Sequence, residues 1–582
     1  MKVSDYIIKF FEEKEVGIIF GYVGGMITHL VDSIHLNKNV QFVQTYHEQS
    51  SSIAAEGYAL ETQNIGVAIS TSGPGATNMI TGIADAYFDS IPVFYITGQV
   101  NTYEYKDEKP IRQLGFQETD IVNIVKPIVK YSVLIKDEKN IRYELEKAYY
   151  TATSGRPGPV LLDIPMNIQR AEVDIENLKG FDPKELKVNE QVTISLLEEA
   201  VELIKNAKRP MILCGGGVFK DESKRALNAF SESNRIPIVT SLKGRGLCDE
   251  ESELYFGMIG SYGNRNSNIS IANCDLLIAL GTRLDTRQTG ANYKEFVKAG
   301  KIIHVDIDED ELEYNRISNR LELHMDVKDF LIYLNKKEGL NNKNSDWIDY
   351  LNKIKEKYNQ DAEIQKNIEN KSPYELIDYL NASSKEGDIF CVDIGQNQMW
   401  TAQKLKMKKN QKFMTSGGLA PMGYALPASV GVAFANENQT VYSISGDGGF
   451  HMAIQSLMLI SQYNLPVKVI VMNNKSLGMI TQFQELYFEK RLIGTVKEGG
   501  YLVPNLEDLA KAYNINYYLL DNEKILDEDL RRKILEERNC LIEYRITGET
   551  KVYPKLEFDK AIENMSPQLS EEELEDIMII KK

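Results

Sequence analysis

The stretch TVYSISGDGGFHMAIQSLMLISQYNLPVKVIVMNNKSL, residues 440–477, decides the fold. TVYSIS reads as a strand, GDGG as a tight turn, MAIQSLMLISQY as a helix, and VKVIVM as the next strand, ending in Asn473 and Asn474. Strand, helix and strand at this spacing make a right-handed crossover, so both turns fall at the carboxyl edge of one parallel sheet. Asp447 and Asn474 are therefore expected close in space although 27 positions apart in sequence. Gly446, Gly448 and Gly449 are expected to bend the backbone tightly against an anion, with the positive end of the following helix pointing at it. The Asp447 carboxylate, the Asn474 amide oxygen and a backbone carbonyl at Ser476 would make a hard oxygen site of low charge. Such a site suits Mg²⁺ completed by two phosphate oxygens and a water, whereas zinc would want His or Cys. GDG alone reads equally well as a plain turn; its pairing with NN in this setting favours a diphosphate-metal site.

Outward from this unit, short β-branched runs alternate with helical patterns along the whole chain. This is an α/β pattern with parallel sheets, doubly wound. The first block, 1–172, contains IIFGYV, VQFVQT, GVAIST, IPVFYIT and PVLLDI; a charged stretch over 174–192 reads as a linker. The second, 190–335, contains PMILCGGG, IPIVTS, LLIALG and KIIHVDID. A Lys/Asn-rich helical stretch over 336–371, with no long apolar face, reads as a second linker. The third block, 372–550, contains IFCVDIG, the unit above and CLIEYRI; an acidic, amphipathic tail over 551–582 is expected to pack on another surface.

Bulk properties narrow the function. The 582 residues are too many for one core and imply about three or four domains. A net charge of −17 argues against a nucleic-acid or acidic-membrane partner, which needs a basic face. The basic run Lys404–Lys412 reads as solvated surface. Five widely spaced cysteines with no CxxC pair exclude a zinc ribbon and read as buried filler in a reducing compartment. The acids of the first twenty residues do not suit a signal peptide, and no apolar run approaches the ~18 residues of a spanning helix. The expectation is a cytoplasmic protein without a membrane partner.

GDGGF followed by NN resembles the signature of thiamine-diphosphate enzymes, and VKVIVMNNKSLGMITQF is similar to the acetolactate synthase (acetohydroxyacid synthase) large subunit. The likeness covers nearly the whole chain. It implies three domains (pyrimidine-binding, central and diphosphate-binding) and thiamine diphosphate with Mg²⁺. It also implies cofactor contacts at Pro74, Asn78, Leu477, Gly478 and Met479.

TYHEQSSSIAAEGYA places Glu48 at a strand end, before a helix of small residues. Read alone, Glu48 is an ordinary first-turn acid favouring the helix dipole. HEQ followed by AAEGYA matches the family's catalytic glutamate segment, which implies a proton relay to the aminopyrimidine ring. A desolvated Glu with its pKa raised suits that exchange. SGGLAPMGYALPA resembles the stretch that folds the cofactor back on itself, with Met422 as the apolar wedge and the Ala420 carbonyl accepting from the amine. Ala420 stands where acetolactate synthases usually have Gly. In this family Glu48 and the metal site come from different subunits, which implies a homodimer or homotetramer with interfacial active sites. A small regulatory subunit remains open.

GGGV at 215–218 after a strand is weak evidence for a nucleotide site. GTRLDTRQTG is similar to the acetolactate synthase segment that contacts FAD, and SGRPGPV carries the family's other flavin-binding arginine. The resemblance thus implies FAD contacts at Arg156, Arg283, Asp306 and Asp326. For the substrates it implies Gly25 facing the reacting centre, Phe116 and Gln117 beside it, and Arg287 on the acceptor's carboxylate. Pyruvate would lose CO₂ and pass its two-carbon unit to a second carbonyl compound; with pyruvate as acceptor the product is 2-acetolactate, as in branched-chain amino acid biosynthesis.

Two features depart from that family. Phe483 replaces the Trp that shapes its acceptor pocket. The loop NTYEYKDEKPIRQLG (101–115) is longer and more charged than its counterpart, and such loops often carry function. With the tail VYPKLEFDKAIENMSP, this pattern is similar to acetolactate synthase-like proteins of surface-polysaccharide pathways, some of which transfer an acetyl unit to a keto-deoxysugar nucleotide. Simple decarboxylation or oxidation is a further alternative, disfavoured because the six histidines include no pair.

Overall fold

In the computed structural model, residues 1–186, 192–340 and 344–580 are described. The expected boundary at 190, residues 341–343 near the start of the expected 336–371 linker and the last two residues of the tail lie outside them.

The first sheet contains β1 (Ile18–Gly21), β2 (Gln41–Gln44), β3 (Gly66–Ser70), β4 (Val93–Gln99), β5 (Tyr131–Leu134) and β6 (Val160–Pro165), in the order β2-β1-β3-β4-β6-β5. The second contains β7 (Pro210–Cys214), β8 (Ile238–Thr240), β9 (Tyr255–Met258), β10 (Leu276–Leu280), β11 (Lys301–Asp306) and β12 (Arg320–His324), in the order β12-β11-β10-β7-β8-β9. The third contains β13 (Ile389–Val392), β14 (Lys412–Met414), β15 (Val441–Gly446), β16 (Val467–Asn473), β17 (Tyr517–Leu520) and β18 (Cys540–Arg545), in the order β14-β13-β15-β16-β18-β17. The pairings in all three sheets are parallel, with helices between the strands, so the fold is α/β as expected. The outer sheets share one winding. The middle sheet instead has the 3-2-1-4-5-6 order of dinucleotide-binding folds, with its switch point between β7 and β10.

β5, β9, β12, β14 and β17 were not foreseen from the sequence, and all five are edge strands. Each is short and partly exposed, so none shows the continuous apolar run of a central parallel strand.

The first and third domains share a core. Helix Glu48–Thr62, between β2 and β3, packs on helix Ala425–Ala435, which holds the equivalent place between β14 and β15. ALPASVGVAFA is almost entirely apolar, as a helix buried on all sides must be. Glycine permits the crossing: a Cβ on Gly431 would lie 1.8 Å from the Ala54 carbonyl oxygen, and one on Gly57 would lie 2.2 Å from that of Ala428. Lys412, at the end of the basic run read as solvated, pairs with the largely buried Glu61 at 2.8 Å across this junction.

The 336–371 stretch does have an apolar face, contrary to expectation. Helix Ser345–Tyr358 buries Trp347, Leu351, Ile354 and Tyr358 against the central domain. The tail packs over the same domain. Leu556 N–H donates to Ser261 O at 2.6 Å, and Arg265, buried and paired with Glu363 at 2.6 Å, donates to the carbonyls of Met565 and Pro567. All five cysteines are free and buried. Among the described residues no helix is long and apolar enough to cross a membrane.

Candidate active site

The diphosphate-binding half lies where β15 and β16 end side by side, with Gly446 opposite Met472. The turn differs from expectation. Gly446 has φ −75°, and a helix begins at once, Asp447–Met452, so Gly448 and Gly449 are helical rather than bent. Their value is space: a Cβ on Gly448 would sit 2.6 Å from Leu477 Cδ2 and 3.1 Å from Met422 Cε, and one on Gly449 would sit 2.6 Å from Asp393 Oδ1. The helix is also shorter than expected; it breaks at Ala453 and resumes at Leu457–Gln462.

Asp447 is buried, and its two oxygens accept from the Tyr501 hydroxyl at 2.5 Å and the Lys475 N–H at 2.8 Å. Burial pushes its carboxyl up to about 6, with the Tyr501 hydroxyl pulling it back. Asn474 Oδ1 accepts from Ser476 N–H at 3.1 Å, and its Nδ2 donates to Thr550 Oγ1 at 3.0 Å. A buried carboxylate with only neutral donors beside an amide oxygen fits a divalent cation, which would supply the missing positive charge. Among the described residues no group of three or more His, Cys, Asp or Glu is placed to hold a metal ion. Gly478 lies against Gln396, where a Cβ would be 2.0 Å from Oε1, and Met479 Sδ accepts from the Tyr262 hydroxyl at 3.7 Å.

The loop carrying Ala420 and Met422 borders this half. Ala420 has φ 61°, a conformation unfavourable for a residue with a Cβ and one that glycine adopts freely. Asp393 fixes the end of the loop: its carboxylate, pushed up to about 6 by burial, accepts from Gly423 N–H and Ala425 N–H, both at 3.0 Å. Tyr501, Asp393, Gln396 and Thr550 were not singled out from the sequence. Only Asp393 and Gln396 left a signal there, in the DIGQ segment that follows β13 at the switch point of the third sheet.

The second half lies at the carboxyl edge of the first sheet. Glu48 is 7% exposed and begins its helix; Asn78 Nδ2 donates to Glu48 Oε2 at 2.9 Å. Pro74 opens the helix Pro74–Asn78. Gln117 packs on Gly73, whose Cβ would lie 3.1 Å from Gln117 Cβ. Thr71 links this group to the Gly24–Gly25 turn, accepting from Met26 N–H at 3.2 Å. Gly25 faces open space, with no atom within 4 Å of an added Cβ, and Phe116 is 80% exposed. The 101–115 loop is tied down by Glu118, whose carboxylate accepts from the N–H groups of Lys106, Leu114 and Gly115 at 2.7–3.2 Å.

A third group lines a 450 Å³ cavity at the switch point of the middle sheet. Arg156, Arg283, Arg287, Asp306 and Asp326 all contribute to its wall. Arg156 is already paired with Asp308 at 2.9 Å and Glu311 at 2.7 Å, and burial raises Asp306 to about 6. Arg287 O accepts from Ser261 N–H at 2.7 Å, beside the Tyr262 that touches Met479, so the cavity adjoins the diphosphate half. Neither Glu48 nor Asp447 lines it.

A doubly wound domain offering a buried acid and another offering a carboxylate–amide anchor define a class, the thiamine pyrophosphate (thiamine diphosphate) enzymes. Family models match accordingly: the N-terminal TPP binding domain over residues 1–124, the central domain over 197–334 and the C-terminal TPP binding domain over 393–544. The acetolactate synthase large subunit of Lactococcus lactis is 36% identical over 95% of this chain and 94% of its own length. That of Cyanidium caldarium is 34% identical over 94% of each, and a probable acetolactate synthase large subunit of Methanococcus aeolicus is 35% identical over 94% of this chain and 92% of its own. The chain belongs to the acetolactate synthase large-subunit family of thiamine pyrophosphate enzymes.

Proposed function

We propose that this enzyme decarboxylates pyruvate and transfers the two-carbon unit to a second 2-keto acid, giving 2-acetolactate. The observation that carries the reading is the meeting of Asp447, Asn474 and Met422 at one sheet edge, in a chain similar to acetolactate synthase large subunits over more than nine tenths of its length. Asp447, Asn474 and the Ser476 carbonyl would hold Mg²⁺, and Gly446, Gly448, Gly449, Leu477, Gly478 and Met479 would surround the diphosphate. Thiamine diphosphate, when bound, supplies the electron sink for decarboxylation. Glu48 holds and exchanges a proton, oriented by Asn78; Met422 and the Ala420 carbonyl set the cofactor's bend. Gly25 leaves room for pyruvate beside Gln117 and Phe116.

Glu48 and Asp447 belong to separate edges, each flanked by exposed apolar groups: Tyr22, Val23, Tyr46 and Phe116 on one, Leu419, Met452 and Ile480 on the other. This supports a dimer in which each site pairs Glu48 of one copy with Asp447 of the other. The 450 Å³ cavity, at the point where dinucleotides bind such sheets, supports FAD held by Arg156, Arg283, Asp306 and Asp326.

A second reading keeps the same donor chemistry and changes the acceptor to a keto-deoxysugar nucleotide. It is favoured by an exposed aromatic group near Arg287: Phe483 and Tyr487 at 4.7 Å, Tyr487 and Phe558 at 6.2 Å, with Lys555 5.9 Å from the Tyr487 ring. Stacking surfaces and cations suit a base and a phosphate. Purified protein with pyruvate, Mg²⁺ and thiamine diphosphate tests both. Acetolactate supports the first reading; pyruvate consumption that requires a ketosugar nucleotide supports the second; acetaldehyde as main product sinks both.

A further inference from the structure

Helix Glu48–Thr62 carries a second acid, Glu56, two turns beyond Glu48 and fully buried. Two turns are about 12 Å along a helix, so Glu56 stands apart from the reacting centre. Where this helix crosses helix Ile80–Phe88, Ser52 packs on Gly82, whose Cβ would lie 2.2 Å from Ser52 Cβ. One turn further along each helix, Glu56 meets Asp85 side chain to side chain. Both Glu56 oxygens and Asp85 Oδ2 are buried and meet no hydrogen-bond donor. A carboxylate has no hydrogen to give, so this contact is a hydrogen bond only if a proton lies within it. Two bare carboxylates buried in contact would be prohibitively costly.

Asp85 also reaches the third domain. Ser416 Oγ donates to Asp85 Oδ1 at 2.5 Å and accepts from Ala420 N–H at 2.9 Å. One turn on, Asp89 accepts from Gly417 N–H at 2.9 Å, Gly418 N–H at 2.8 Å and Lys243 Nζ at 2.9 Å. Two carboxyl groups of the first domain therefore grip the loop that bears Ala420 and Met422. The other groups facing the pair are the buried hydroxyls of Tyr95, on β4, and Tyr424, which closes the loop.

We propose that Glu56 and Asp85 share one proton as a unit, and that the charge this leaves on Asp85 fixes the Ser416–Met422 loop, making both acids positioning residues for the carboligation. The inference rests on the role proposed above for Ala420 and Met422. The Glu56 carboxyl O–H donates to Asp85, and the Asp85 carboxylate accepts from Ser416. Burial raises both acids, Glu56 well above the carboxylate range and Asp85 to about 7. As pH falls through about 7, Asp85 takes a second proton, loses its charge and holds Ser416 less firmly.

Infrared titration of the full chain without cofactor tests the pair directly. The unaltered protein should keep a protonated-carboxyl band at pH 8; Glu56→Gln should lose it. Asp85→Asn should remove part of the band change near pH 7 and leave the part that Asp163 contributes. With thiamine diphosphate, Mg²⁺ and pyruvate, Glu56→Ala should lower kcat about tenfold with KM little changed, since a misplaced loop costs orientation more than binding. Glu56→Gln, which keeps a donor toward Asp85, should recover most of that loss, and Asp85→Asn should flatten the acid limb of kcat. A band that survives Glu56→Gln, or an acid limb unmoved by Asp85→Asn, would overturn the proposal. The infrared arm needs neither cofactor nor substrate, so failure to form acetolactate would count against the carboligation reading alone.

Discussion

The Tyr501 hydroxyl donates to Asp447 Oδ1 across 2.5 Å, and a Cβ on Gly448 would lie 3.0 Å from that same hydroxyl oxygen. Tyr501, on a loop distant in sequence, thus fixes the rotation of the Asp447 carboxylate together with the Lys475 N–H.

Tyr501→Phe removes that orientation and leaves the carboxylate in place. Supporting groups of this kind typically cost about tenfold or more in metal affinity, so Mg²⁺ activation curves should move to about tenfold higher concentration. An unmoved curve would mean that Tyr501 only fills space.

Glu48→Gln keeps the size of the side chain and its contact with Asn78 but cannot exchange a proton. Turnover should fall at least about 100-fold while calorimetry still detects thiamine diphosphate binding. Unchanged turnover would refute the relay assigned to Glu48.

Gly431→Ala forces a methyl group to within 1.8 Å of the Ala54 carbonyl oxygen, a backbone atom that cannot rotate away. The helices must separate, at a cost of about 3 kcal/mol. Urea unfolding should register the loss, and a midpoint like that of the unaltered chain would show that the junction contributes little.

Asp163 lies wholly buried on β6, accepting from Thr97 Oγ1 at 2.7 Å and Gln99 Nε2 at 2.9 Å, and burial pushes its carboxyl up to about 7. A raised carboxyl pKa means that the folded chain binds the proton more tightly than the unfolded one. The stability it contributes is present below about pH 4 and is lost as pH rises through about 7. Asp163→Asn should therefore flatten part of the fall in melting temperature between pH 5 and pH 8; the amide can still accept from Gln99 and donate to Thr97. An identical slope in the variant would rule Asp163 out as its source.

Much of the fold was legible because central parallel strands are continuous apolar runs, and those of all three sheets were read. The missed strands, such as Tyr131–Leu134 and Tyr517–Leu520, sit at sheet edges where half-exposure breaks the run. The apolar face of Ser345–Tyr358 was obscured by its lysines and asparagines. Within the site, Asp447 and Asn474 were readable because each closes a strand. Tyr501 and Thr550 were not, since each reaches the site from a loop whose position depends on tertiary packing. The pairing of Glu56 with Asp85 was invisible for the same reason: two helices must first cross at Ser52 and Gly82.

Arg265, buried in the central domain, finds its counter-charge in Glu363 and two further acceptors at Met565 and Pro567. Residues leave the ribosome in sequence order, so its charge waits about 100 residues for Glu363 and about 300 for the tail carbonyls. Before then the central domain must either keep Arg265 in water or bury a cation without a partner. Its final closure thus waits until the chain has passed residue 567, and a chain cut short before residue 565 would keep the Glu363 pair but leave Arg265 Nη1 without its acceptor where the tail should lie.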